Sequence, residues 1–142
     1  MSGSLDKTLK VWDVATGKVI HRLTGHGHKV MAATVSADGK LLATGSWDKT
    51  VKFWDCRQQN PANVIKCPER VYSMDIYGSL MVVACANRKI QVFNLEEISR
   101  PFSEIESPMK FQTRCVSCFP DAVWLVSLDL FSPLMSSFCV CV

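Results

Sequence analysis

Gly45-Ser46-Trp47-Asp48-Lys49-Thr50-Val51-Lys52-Phe53-Trp54-Asp55 decides the fold, because the chain carries the same stretch once before. The earlier copy, starting at position 3 instead of 45, reads Gly3-Ser4-Leu5-Asp6-Lys7-Thr8-Leu9-Lys10-Val11-Trp12-Asp13 and differs only at Leu5, Leu9 and Val11. A more diverged third copy starts at position 84: Ala84-Cys85-Ala86-Asn87-Arg88-Lys89-Ile90-Gln91-Val92-Phe93-Asn94. There Asn87 stands where the others have Asp, and Phe93-Asn94 replaces Trp-Asp. A fixed spacing of about forty residues means that one supersecondary unit is being repeated.

Each unit reads as short strands. Val30 to Val35 and Leu41 to Gly45 are apolar runs joined through Ala37-Asp38-Gly39, a hairpin-turn sequence. Thr50 to Trp54 alternates after a tight turn at Trp47-Asp48-Lys49, and a fourth strand fits Val19 to Leu23 and again Val64-Ile65. Val71 to Ile76 with Leu80 to Ala84 repeats the first pair, and Cys115 to Phe119 starts it once more. Four antiparallel strands per unit, with a Trp-Asp ending and this period, predict blades of a β-propeller. The expected fold is all-β, a partial propeller of about three to three and a half blades. Repeat cores lie near 3–13, 30–55, 71–94 and 114–119, within a domain spanning 1–121. Rings normally hold four to eight blades, so this chain is not expected to close one. Its open edges then need the rest of a propeller or a second chain.

The composition is globular, with 48% hydrophobic and 20% charged residues. A formal charge of +3 is too small to imply nucleic-acid binding by itself. Seven cysteines stand at spacings that support no disulfide framework or zinc site. With no secretory signal at the N-terminus, reduced thiols in cytosol or nucleus are expected.

Gly25-His26 and the two Trp-Asp endings resemble the WD-repeat family. Several further stretches look like one subfamily, the nuclear-pore mRNA export factors. They are Arg57-Gln58-Gln59-Asn60-Pro61, Pro68-Glu69-Arg70-Val71-Tyr72, Ile105-Glu106-Ser107-Pro108-Met109-Lys110 and Gln112-Thr113-Arg114-Cys115. A sister subfamily, the spindle-checkpoint propellers, shares several of these motifs. The resemblance implies a non-catalytic protein-binding scaffold that docks an acidic GLEBS-type nucleoporin peptide, with RNA as a further ligand. It also implies a nuclear, pore-associated location with cytoplasmic shuttling. A checkpoint adaptor and a truncated, non-functional fragment are the alternatives.

After Pro120-Asp121 the resemblance stops. Where the subfamily has a strand carrying Ser-Ile-Glu-Gly-Arg, this chain has Ala122-Val123-Trp124-Leu125 and an apolar run to Val142 with Asp129 as its one charge. Residues 122–142 therefore read as an atypical tail rather than native propeller sequence. Pro133 and the lack of a basic flank argue against a membrane span. Cys139-Val140-Cys141-Val142 matches a prenylation box only superficially.

No constellation predicts catalysis, a metal or a cofactor, and no small-molecule substrate is expected. His26, Asp48 and a hydroxyl (Ser46 or Thr44) could pass for a triad. The family resemblance instead makes His26, Ser46 or Thr44, Asp48 and Trp54 a structural hydrogen-bonded network, since buried polar groups must be paired. Cys115-Val116-Ser117-Cys118 lacks the second pair zinc requires and fits strand alternation.

The basic residues carry the functional expectation. Repeat alignment places Lys7, Lys49 and Arg88 at one turn, and Lys29, Arg70 and Arg114 just before the first strand. In an up-and-down meander those loops share one end of the blade. Six cations, with Lys110 and with Trp47 as an aromatic anchor, are thus expected to form one rim suited to an acidic peptide or RNA phosphates.

Overall fold

A computed structural model describes residues 1–36, 39, 41–55, 58, 60–108 and 112–118, together with the backbone of 124–128 and 137–141. The described residues contain strands and no helix, arranged as four antiparallel sheets.

Blade 1 has three strands, β1 (Ser2–Gly3), β2 (Leu9–Trp12) and β3 (Val19–Leu23). Blade 2 is complete, with β4 (Val30–Val35), β5 (Leu41–Ser46), β6 (Thr50–Asp55) and β7 (Asn63–Lys66). Blade 3 repeats it with β8 (Val71–Tyr77), β9 (Leu80–Cys85), β10 (Lys89–Asn94) and β11 (Ser103–Glu106). Blade 4 pairs β12 (Cys115–Cys118) with β13 (Trp124–Leu128) and β13 with β14 (Ser137–Cys141). Two stretches of the apolar tail therefore continue the meander. Fourteen described strands at four per blade amount to three and a half blades, in an open arrangement. Among the described residues no helix is long and apolar enough to cross a membrane.

The inner strands β5, β6, β9 and β10 are buried on both faces, and each face has a different neighbour. On β5 and β6, Leu42 and Trp54 pack on Leu9, Leu23 and Val11 of blade 1. Ala43, Val51 and Phe53 pack forward on Met74, Met81, Val83 and Phe93 of blade 3. Val82, Ala84, Ile90 and Val92 of blade 3 then meet Val116 of β12. Alternate residues of one strand thus serve successive inter-blade cores, which is how a period of two builds a stack of sheets.

The turns repeat as faithfully as the strands. Lys7, Lys49 and Arg88 all lie in the left-handed region, with φ of 68°, 65° and 61°. In the first two copies the preceding Asp makes this possible: Asp6 Oδ1 accepts from Thr8 N and Oγ1, as Asp48 Oδ1 does from Thr50 N and Oγ1. In the third copy Asn87 is also left-handed, at 62°, a conformation Asn tolerates. Of the predicted hairpin Ala37-Asp38-Gly39, only Gly39 is described, with φ of 70°.

Candidate functional site

Two backbone bonds decide whether the rim exists. Trp47 N donates to Lys29 O at 3.1 Å, and in the next blade Ala86 N donates to Arg70 O at 2.8 Å. Each bond ties the turn between second and third strands to the loop before the first strand. The two cation-bearing loops of a blade therefore meet at one end.

A second repeated irregularity turns an aromatic onto that end. The pairing of β4 with β5 slips between Val30 and Ala32, and that of β8 with β9 slips between Val71 and Ser73. Met31 and Tyr72 are the extra residues, and such bulges re-aim a side chain. Tyr72 meets Trp47 edge-on at 5.6 Å between ring centroids, with planes 79° apart. His28 stacks on Trp47 at 5.8 Å. Lys29 Nζ lies 3.2 Å from the Trp47 ring centroid and the Arg70 guanidinium 5.0 Å from it, while Arg114 covers Tyr72 at 4.7 Å. Lys29, Trp47, Arg70, Tyr72 and Arg114 thus form one continuous ladder across blades 2, 3 and 4. Cation–π contacts of this kind are worth about 0.5–1 kcal/mol when exposed, so they hold the cations in place without neutralising them.

The other rim residues are arranged differently. Lys49 Nζ pairs with Glu69 at 3.0 Å, a contact that also holds the Glu69 carboxyl below its usual range. Arg88 pairs with Glu106. Lys7 is exposed on blade 1, and Lys110 lies outside the described residues. The structure therefore brings together Lys29, Trp47, Arg70 and Arg114, and flanks them with two cations that already have carboxylate partners. Tyr72 and His28 complete the ladder. Sequence reasoning passed over Tyr72; the one available signal was its place two residues after a rim cation.

Beneath the ladder lies the polar network. Trp54 Nε1 donates to Thr44 Oγ1 at 2.7 Å, which sits 2.7 Å from His26 Nε2. His26 Nδ1 faces Asp48 Oδ2 at 2.9 Å, and Gly27 N donates to the same oxygen at 2.8 Å. Thr44 is the hydroxyl inside the chain of bonds. Ser46 instead donates to Lys29 O at 2.8 Å and accepts from Asp48 N at 3.2 Å, tying the network to the rim loop. Burial lowers the His26 pKa, outweighing the opposing pull of Asp48. A neutral ring with its proton on Nδ1 satisfies every contact: it donates to Asp48 and accepts from Thr44. For Asp48, burial acts to raise the pKa, but bonds from Thr50, His26 and Gly27 together lower it.

Cys115 and Cys118 are three apart on a four-residue strand, so period-two geometry points them to opposite faces. Cys118 is pushed up to about 11 by burial and by Asp75, which suits an inert thiol. Among the described residues no group of His, Cys, Asp and Glu could hold a metal ion.

Comparison with known proteins agrees with the bladed architecture. The WD domain, G-beta repeat model matches residues 17–55. The chain belongs to the WD40-repeat family. Within that family it is similar to the Poly(A)+ RNA export protein of Schizosaccharomyces pombe, 47% identical over 121 residues, covering 83% of this chain and 34% of that protein. It is also similar to the mRNA export factor GLE2 of Chaetomium thermophilum, 40% identical over 124 residues, covering 86% and 34%. The mitotic checkpoint protein BUB3.1 of Arabidopsis thaliana is 41% identical over 101 residues, covering 68% and 30%. The chain thus spans about a third of the length of these WD40 relatives.

Proposed function

We propose that this WD40 chain is a non-catalytic adaptor of the mRNA-export type, whose cation–aromatic rim docks an acidic peptide such as a nucleoporin GLEBS segment. One observation carries the reading: Lys29, Arg70 and Arg114 are held on the Trp47–Tyr72 pair, across three blades, with their charge still available. Ordered cations beside aromatic anchors suit carboxylates followed by apolar side chains, and ordering them beforehand lowers the entropy cost of binding. The similarity to RNA export proteins supports the same direction and adds single-stranded RNA as a competing ligand, stacked on the aromatics with phosphates on the cations. The same similarity supports the nuclear pore as the proposed site of action, and shuttling to the cytoplasm is part of that proposal. The likeness to a mitotic checkpoint protein motivates a second reading, in which the acidic peptide comes from a checkpoint kinase.

Anisotropy titrations with the full chain discriminate these readings. A nucleoporin GLEBS peptide is expected to bind more tightly than one from a checkpoint kinase, and Arg70→Glu to weaken it by roughly tenfold or more, equivalent to about 1.4 kcal/mol. Equal or reversed preference favours the checkpoint reading. Binding that Arg70→Glu and Arg114→Glu both leave unchanged removes the rim as the docking surface. Single-stranded RNA displacing the peptide marks a shared face.

A further inference from the structure

Successive blade boundaries differ in the polar group they present. Between blades 1 and 2, Lys52 Nζ donates to Gly25 O at 2.6 Å. Between blades 2 and 3, Gln91 holds the repeat place of Lys52, and Lys66 stands four residues before Arg70 as Gly25 does before Lys29. Gln91 Nε2 donates to Glu104 Oε2 at 3.0 Å, across the pairing of β10 with β11. Glu104, which also takes Lys89 Nζ at 2.8 Å, can only accept, so the Gln91 amide is fixed with Oε1 turned elsewhere. Gln91 is 5% exposed, and its Oε1 is buried with no partner among the described residues. A buried acceptor in that state costs free energy until a donor reaches it.

Gln91 lines a cavity of about 250 Å³ on the flank of these two blades. Ile65, Phe93, Ile98 and Pro101 give it apolar walls, and all four residues of β7 line it. Alternation sets only two of those four side chains on either face, so the backbone of β7 forms part of the wall. Among the described strands β7 is the last of its sheet, with one edge unpaired, and such an edge accepts an extended chain. Of the lining residues Lys66 alone is charged, and it is exposed. Both walls belong to blades 2 and 3, which already pack on each other, so further blades would stack on other faces. No residue of the Lys29–Arg114 ladder lines the cavity.

We propose that this cavity is a second docking site, taking the tyrosine side chain of an extended peptide that carries acidic residues beside the tyrosine. The volume suits one aromatic ring, the apolar walls suit its faces, and the phenol supplies the donor that Gln91 Oε1 lacks. Phenylalanine fills the same space and leaves the acceptor unpaired, so the site discriminates between the two. Lys66 favours carboxylates next to the ring, and β7 gives the peptide backbone a strand to run along. The boundary between blades 1 and 2 offers no equivalent, because Lys52 occupies that place and its own donor is already used.

Amide NMR titration of the 142-residue chain tests this, using a blocked peptide Glu-Val-Tyr-Val-Glu and its phenylalanine counterpart. The tyrosine peptide is expected to shift the amides of Ile65, Gln91 and Ile98. It is expected to bind roughly fivefold more tightly than the phenylalanine peptide, the net worth of one hydrogen bond. Gln91→Leu keeps the bulk without the acceptor and is expected to abolish the preference. Gln91→Lys installs the residue of the preceding blade and is expected to exclude both peptides. Equal affinity for the two peptides, shifts confined to the rim loops, or no shift at all overturns the proposal. So does a tyrosine preference that Gln91→Leu leaves intact, or binding that Gln91→Lys leaves unchanged. The comparison of the two peptides needs no variant, so it decides even where a substitution unfolds the chain. Arg70→Glu, which disables the rim, is expected to leave the shifts in place, and their loss there counts against the cavity; the two sites therefore fail separately.

Discussion

Thr44 is fully buried and accepts the indole proton of Trp54 while bonding the imidazole of His26. Thr44→Val keeps the shape and strands two polar groups in an apolar interface. The expected cost is about 1–3 kcal/mol of stability for each buried group left unpaired, measured by urea denaturation. An unchanged midpoint would mean that the bonds contribute nothing net. His26 adds a pH dependence whose sign follows from its lowered pKa. The unfolded chain binds the proton more readily, so stability is complete above the ordinary value of 6.5 and declines as pH falls below it. Asp48, also lowered, adds a further loss on acidification below its ordinary 3.8. In His26→Gln the decline that starts near 6.5 is expected to shrink while the more acidic one remains, a difference that melts across a pH series would record.

At the scale of the element, β5 and β8 approach so closely that the residue between them must be glycine. A Cβ on Gly45 would stand 2.5 Å from Val71 Cγ1 and 3.0 Å from Met74 Sδ. Gly45→Ala is therefore expected to push blades 2 and 3 apart and to cost about 1–3 kcal/mol, as overpacking in a well-packed core does. Gly39→Ala has open space around its Cβ but a φ of 70°, and is expected to cost about 1 kcal/mol by backbone strain alone. Thermal melts of the two variants, side by side, separate packing from backbone strain. The bulge at Tyr72 belongs to this scale too. Tyr72→Ala removes the ring between Trp47 and Arg114, and is expected to weaken peptide binding by roughly tenfold, as loss of an interface anchor does. Tyr72→Phe is expected to bind as the parent does, which a titration would show.

For the molecule as a whole, the rim matters more than the net charge of +3. Three cations on one aromatic pair create a local field that opposite charges elsewhere do not cancel. Peptide affinity is therefore expected to fall as ionic strength rises through the range where the Debye length drops from about 10 Å to about 3 Å. Arg114→Gln should flatten that dependence, and a slope it leaves untouched would place the peptide elsewhere.

The blades themselves were legible in the residues, because a forty-residue period with two-sided apolar strands allows few other arrangements. The strands at Val30–Val35, an apolar run, and at Val19–Leu23, the fourth strand that the repeated unit calls for, have the limits read from the sequence. The shared end for Lys29, Arg70 and Arg114 was also legible, since antiparallel meanders return equivalent loops to one side. The packing of those loops was not. A bulge is a register slip between two strands, so nothing local to Tyr72 announces that its ring will meet Trp47 of the blade before it. The pairing of Lys49 with Glu69 and Arg88 with Glu106, which leaves Lys29, Arg70 and Arg114 as the cations seated on rings, depends on which side chains lie opposite across strands. Periodicity along the chain sets the repeated unit; contacts between units are set by distance in space, and these came only with the fold.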